Sequence, residues 1–101
     1  MLMVVTLTVR RDALDSFRTF EHEAARIMVK HGGSIERTVV LKTRADEPHK
    51  EVHVIAFPSP DAYEAYRVSP ELAAFMHLRE VSVLKTDLVV GEPGPSYGVD
   101  V

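Results

Sequence analysis

Residues 44–50 of this chain, RADEPHK, separate two stretches in which apolar and polar side chains alternate: SIERTVVLKT at 34–43 and EVHVIAF at 51–57. Such alternation marks a β-strand, whose successive side chains point to opposite faces of a sheet. A charged connection this short joins antiparallel neighbours; parallel pairing needs a crossover of about a dozen residues or more. The centre of the chain is therefore an antiparallel hairpin, and the other elements must be fitted around it.

On the N-terminal side, residues 2–9, LMVVTLTV, are rich in β-branched types and read as a strand. Asp12 is placed to cap a helix N-terminus. Leu14, Phe17, Phe20, Ala24, Ile27 and Met28 follow at helical spacing, so residues 13–31 read as an amphipathic helix. Gly32-Gly33 ends it, because the left-handed residue after a helix costs least as glycine. On the C-terminal side, FPSPDAYEAYRVSPELAAF at 57–75 carries one phrase twice, Ser59-Pro60-Asp61 and Ser69-Pro70-Glu71. In each, Ser is an N-cap, Pro takes the first helical position and an acid complements the helix dipole. Pro70 also drives Ser69 out of the helical region. The second helical region is thus expected as two helices, 60–67 and 70–78, broken at Ser69-Pro70. The bend either wraps the helix round its sheet or opens space above the sheet for a ligand. Residues 81–90, VSVLKTDLVV, read as a last strand, and 91–101 as a Gly/Pro-rich C-terminal arm.

The order βαββαβ describes one α+β domain over residues 1–90: an antiparallel, ferredoxin-like sheet with both helices on one face and strand order 4-1-3-2. A length of 101 residues suits one domain with one core. The net charge is −3 and basic and acidic residues are interleaved, so no nucleic-acid or membrane-binding patch is expected. With no cysteine, disulfides, thiolate metal sites and a Cys nucleophile are excluded. The apolar opening Met1–Val5 is short and lacks the basic lead of a secretory signal. No run approaches the roughly 20 apolar residues of a membrane span. A soluble cytoplasmic protein is the expectation.

Strand parity sorts the side chains. Met3, Val5, Leu7 and Val9 share a face with Ile35, Val39, Leu41, Val52, Val54, Ala56, Leu84, Leu88 and Val90, interrupted by Arg37, Ser82 and Thr86. This face is expected under the helices. The other gathers Val4, Thr6, Thr8, Glu36, Thr38, Val40, Glu51, His53, Ile55, Phe57, Val83, Lys85, Asp87 and Val89. That mixture is too apolar for open water and too charged for a core, which points to pairing of this face with its copy in a homodimer.

Gly32-Gly33, Phe57-Pro58-Ser59, the aromatic helix through Tyr63 and Tyr66, and Ser69-Pro70-Glu71 together resemble the dimeric α+β barrel superfamily over roughly residues 1–90. The chain is most similar to a small bacterial group within it that has no assigned activity and is related to antibiotic-biosynthesis-type monooxygenases. The resemblance implies a homodimeric α+β barrel. The superfamily's activities include cofactor-independent monooxygenases, haem-degrading monooxygenases, lactone isomerases and peroxidases. The haem-degrading branch uses an Asn–Trp–His set, and this chain has neither Asn nor Trp.

His53 is the leading catalytic candidate, a mid-strand imidazole with Glu51 two residues away on the same face and Thr6 and Thr38 expected on flanking strands. A carboxylate-held histidine in a partly dry cavity acts as a general base near neutral pH; the alternative is a buried interface histidine satisfied by Thr or Glu. Tyr63 and Tyr66 could line an apolar pocket or simply belong to the core. Arg37, expected towards the helices, could bind a ligand carboxylate or snorkel to the edge. Glu36, Lys85 and Asp87 are expected in ion pairs. His22, Arg26 and Lys30 read as a solvated helix face, His31 as the helix's last turn, and His49 as part of the charged loop. No histidine pair shows metal-binding spacing with a supporting acid, so no metal is expected, and no cofactor. Three functions remain: a binder of a small, partly apolar metabolite, in a cavity under the broken helix or inside the barrel; a cofactor-independent monooxygenase or isomerase acting on a small aromatic or lactone substrate; and a purely structural or regulatory dimer.

Overall fold

The computed structural model describes residues 1–98. Strand β1 (Leu2–Val9) leads through a 3-10 turn at Arg11–Ala13 into helix α1 (Leu14–Lys30). The hairpin follows, β2 (Ser34–Val40) and β3 (His49–Ala56), then α2 (Pro60–Arg67), α3 (Pro70–Ala73), α4 (Met76–Ser82) and β4 (Val83–Gly91). The sheet is antiparallel, in the order β2-β3-β1-β4, which is the expected order counted from the opposite edge. Residues 92–97 carry no regular element, and residues 99–101 of the expected arm lie outside the described residues.

The core forms where β1 meets α1. Met3, Val5, Leu7 and Val9 are buried on one face of β1. Phe17, Phe20, Ala24, Ile27 and Met28 are buried along the apolar stripe of α1. Burying side chains of this size contributes roughly 1.5–3 kcal/mol each. Gly32 closes α1 with φ +77°, and a β-carbon on Gly33 would stand 2.5 Å from the Phe57 ring. The two glycines therefore let the end of α1 settle directly on the segment that follows β3.

Both serine caps are present. Ser59 Oγ accepts from the Ala62 amide at 3.1 Å, and Ser69 Oγ from the Glu71 amide at 3.2 Å. The expected helix 70–78 is instead two pieces that turn at Ala74-Phe75, where no Gly or Pro marks a break; Leu72, Phe75, Met76 and Leu78 all pack on the core across that turn. Residues 81–82 finish α4 rather than begin β4. The buried Ser82 hydroxyl donates back to the Leu78 carbonyl at 2.7 Å, and the Ser82 carbonyl accepts from the Arg10 amide at 2.8 Å. Asp12 caps nothing and pairs with Arg10.

The assignment of β3 to its faces is reversed. Its register sets Ile55 opposite Met3, His53 opposite Val5, Glu51 opposite Leu7 and His49 opposite Val9, so these side chains lie beneath the helices. Val52 and Val54 face the uncovered side. Apolarity misdirects here because a buried carboxylate is tolerable once it is paired and hydrogen-bonded. Two irregularities displace other residues. A bulge between Ile35 and Arg37 sets Thr38 opposite His53 and Arg37 opposite Val54, which turns Arg37 and Val39 to the open face. A shift at Thr8/Val9 pairs Val9 with Val83 and leaves Leu84 exposed. Thr6 pairs with Val52 and Asp87, on the open face away from His53. That face carries Val4, Thr6, Thr8, Val39, Val52, Val54 and Val89, with Arg37, Lys50, Lys85 and Asp87 towards its margins.

Candidate functional site

A cavity of about 370 Å³ lies between the sheet and the broken helix. Its floor is built by Met3, Val5 and Leu7 of β1, His53 and Ile55 of β3, and Thr86 and Leu88 of β4. Its roof comes from Phe20, Glu21, Ala24 and Met28 of α1, Tyr63 and Tyr66 of α2, Leu72 of α3, and Met76 and Arg79 of α4. The breaks after Arg67 and Ala73 let three short helices arch over the sheet where one straight rod would lie flat. Phe57 anchors the aromatic wall, its ring 5.4 Å from those of both Tyr63 and Tyr66. Burial pushes the Tyr66 phenol well above its ordinary range, with the nearby charge of Glu21 adding to the effect.

Behind the wall runs a buried polar row. His53 is 3% exposed, and its Nε2 lies 3.2 Å from Glu51 Oε1. Its Nδ1 faces Glu21 Oε2 at 3.6 Å. The other oxygen of Glu51 meets His49 Nε2 at 2.7 Å and also pairs with Arg18, whose side chain is about half exposed. Phe17 lies against both imidazoles, its ring centroid 6.5 Å from each. The two carboxylates respond oppositely to this setting. Burial pushes Glu51 upward, but hydrogen bonds from His49 and His53 and the charge of Arg18 outweigh it, and Glu51 ends below the usual carboxylate range. Glu21 has less help: burial dominates, the charge of Glu51 adds to it, and the group sits above that range despite His53. In the neutral imidazole, donation through Nε2–H to Glu51 leaves Nδ1, which faces Glu21, as the acceptor.

Of the residues singled out from sequence, His53, Tyr63 and Tyr66 meet at the cavity. Glu51 stands one step behind His53. Thr38 pairs with His53 across the hairpin but is exposed and outside the cavity lining. Thr6 and Arg37 are on the opposite side of the sheet, so neither joins this site. Glu21, His49, Arg18 and Arg79 were not anticipated. His49, Glu51 and His53 form a period-2 pattern on one strand, a visible signal that assigning His49 to the loop concealed. Glu21 sits four residues after Phe17, which puts an acid on the core stripe of α1. His49 and His53 do share a face with an acid, but Glu51's oxygens already serve the two imidazoles and Arg18. No cluster of three or more His, Asp or Glu able to hold a metal ion occurs among the described residues. Elsewhere Arg26 pairs with Glu23, Lys30 with Glu71 and Lys85 with Asp87, all on the surface.

Solved structures share this architecture. A protein of unknown function from Rhodopseudomonas palustris superposes with a TM-score of 0.73 at 16% identity, over 93% of this chain and 83% of that one. SnoaB, a cofactor-independent oxygenase from Streptomyces nogalater, gives 0.61 at 17% identity over 92% and 93%. An antibiotic biosynthesis monooxygenase gives 0.66 at 13% identity over 94% and 100%. The likeness is one of fold. The chain has the ferredoxin-like α+β architecture of the antibiotic-biosynthesis monooxygenases. No protein-family model and no curated protein matches the sequence. No helix among the described residues is long and apolar enough to cross a membrane.

Proposed function

We propose that this chain binds a small, partly apolar metabolite in the cavity beneath its broken helix, and works as a homodimer closed through the open face of the sheet. The observation that carries the ligand reading is the cavity's composition: a largely apolar, half-open cleft of about 370 Å³ lined by His53, Glu21, Arg79 and Tyr66 among its polar groups. Sites for small molecules combine such a volume with a few well-placed polar groups. The dimer reading is supported by Val4, Val39 and Val89, which stand 41–65% exposed on an uncovered sheet face. A contiguous apolar surface of this kind favours pairing with its own copy about a two-fold axis.

The bracketed imidazole favours a second reading, a cofactor-independent monooxygenase or isomerase. Glu51 orients His53 and fixes its Nε2–H, so Nδ1 is the atom that takes a proton from a bound carbon or oxygen acid. The resulting anion is either reprotonated at another atom, which is isomerisation, or gives electrons to dioxygen, which is oxygenation. Tyr63 and Tyr66 orient the substrate. The shared fold with an oxygenase adds weight to this reading.

A thermal-shift screen with a naphthoquinol, a γ-lactone and short-chain acids tests both. A ligand at 100 times its Kd adds about 2.7 kcal/mol, and each kcal/mol raises the Tm of a domain this size by about 4–8 °C. If nothing in the screen stabilises the folded protein, the ligand reading fails. The substitution His53→Gln keeps a donor to Glu51. Turnover lost with binding retained supports His53 as the base; turnover unchanged removes it from that role.

A further inference from the structure

Two arginines line the cavity, and they differ in what they already hold. Arg67 is committed to Glu64 through two bonds of 3.0 and 2.6 Å on the outer surface of α2. Arg79, half-buried on α4, donates one N–H to Thr86 Oγ1 on β4 and has no carboxylate partner among the described residues. The acids nearby are turned elsewhere: Glu21 faces His53, and Glu51 is occupied by Arg18 and the two imidazoles. A guanidinium has five N–H donors, so most of those of Arg79 are uncommitted. Its charge still reaches the cavity wall, because it opposes the upward push of burial on both Glu21 and Tyr66. An incoming anion gains charge-assisted hydrogen bonds from such a guanidinium without having to break an existing ion pair.

We propose that Arg79 is an anion-binding residue of this cavity and that the ligand is a small monocarboxylate with an apolar body. The inference rests on the ligand reading above and names the chemical class. The planar guanidinium fork matches a carboxylate, which accepts two parallel bonds. One uncommitted cation suits one negative charge; the second charge of a phosphate monoester would lie in a cavity whose remaining charged lining is Glu21 and the already paired Arg67. A phenol, with a pKa of about 10, arrives neutral and gains less. Thr86 holds the guanidinium in place, and Phe57, Tyr63 and Tyr66 offer an aromatic wall to the apolar body.

Isothermal titration of the full chain with phenylacetate and 4-methylpentanoate, each compared with its neutral amide, tests this. The acids are expected to bind about 10- to 100-fold more tightly than the amides, the span of one charge-assisted contact. Arg79→Gln should bring the acids down to the level of the amides and leave the amides unchanged, and Arg79→Lys should restore part of the difference. Should Arg79→Gln fail to fold, Thr86→Val releases the guanidinium and is expected to weaken binding of the acids alone. Equal binding of acid and amide overturns the anion assignment and leaves the cavity's ligand role standing. Binding of neither to the folded protein overturns both.

Discussion

Glu21 and Glu51 are the same side chain about one imidazole apart, and their surroundings send them in opposite directions. Glu51 has donors on both oxygens, so ionisation stabilises the folded state; that contribution is present above the free carboxylate value of about 4.3 and is lost as pH falls towards acid. Glu21 faces an imidazole only at a distance, and burial with the charge of Glu51 outweighs His53, Arg79 and Arg18, so its proton is held more tightly folded than unfolded. Its contribution therefore has the reverse sign. As pH rises past about 4.3, the unfolded chain releases this proton first, and stability declines until the folded group has also ionised. Glu21→Gln should match the wild type at low pH and exceed it at higher pH, the gain rising and then levelling. Urea denaturation from pH 4 to 8 reads this directly. A constant difference across that range would show that Glu21 titrates as if free.

Among the elements, β3 and the broken helix do most to make the site. β3 carries the polar row on its buried face, covered by Phe17, Arg18 and Glu21 of α1, and the caps at Ser59 and Ser69 restart the helix so that it roofs the cavity that His53 lines. The second cap is itself buried and accepts the Glu71 amide. Ser69→Ala removes that acceptor, with Pro70 still preventing continuation of α2, and should cost about 1 kcal/mol. The measurement is the urea midpoint at unchanged m-value; an unshifted midpoint would mean that Pro70 alone sets the break. The turn at Ala74-Phe75 has no comparable local cause and arises from packing of Leu72, Phe75 and Met76 on the core.

At the scale of the molecule, the sheet divides two environments. The covered side holds the cavity and its ionisable groups; the open side exchanges Glu51, His53 and Ile55 for Lys50, Val52 and Val54, and the bulge in β2 adds Arg37 and Val39. Its centre, Val4, Val52, Val54 and Val89, is apolar and its charges flank that centre. Val4 lies on the open face of the central strand β1, opposite Val54 on one side and Val89 on the other. Val4→Asp should convert a dimer to a monomer with helix content retained, since a charge desolvated among valines at the centre of an apolar interface is not compensated there. Sedimentation equilibrium checks it. A wild-type chain that sediments as a monomer at micromolar concentration would end the dimer proposal.

Local chemistry was legible in the sequence. The hairpin, the glycine stop after α1, both serine caps and the βαββαβ order rest on contacts within a few residues, and strand order followed from fitting these parts into one sheet. His53, Tyr63 and Tyr66 were also visible as candidates. The face on which β3 presents its side chains was not, because period-2 alternation states which residues travel together and not which side the helices cover. That choice depended on pairing with β1 and on partners that make a buried carboxylate tolerable: His49 from the same strand, and Arg18 from α1. The bulge in β2, which sent Arg37 to the open face, and the meeting of Glu21 with His53 are likewise contacts between elements distant along the chain. Only the tertiary structure decided them, because the energy of a buried charge depends on which groups surround it in space.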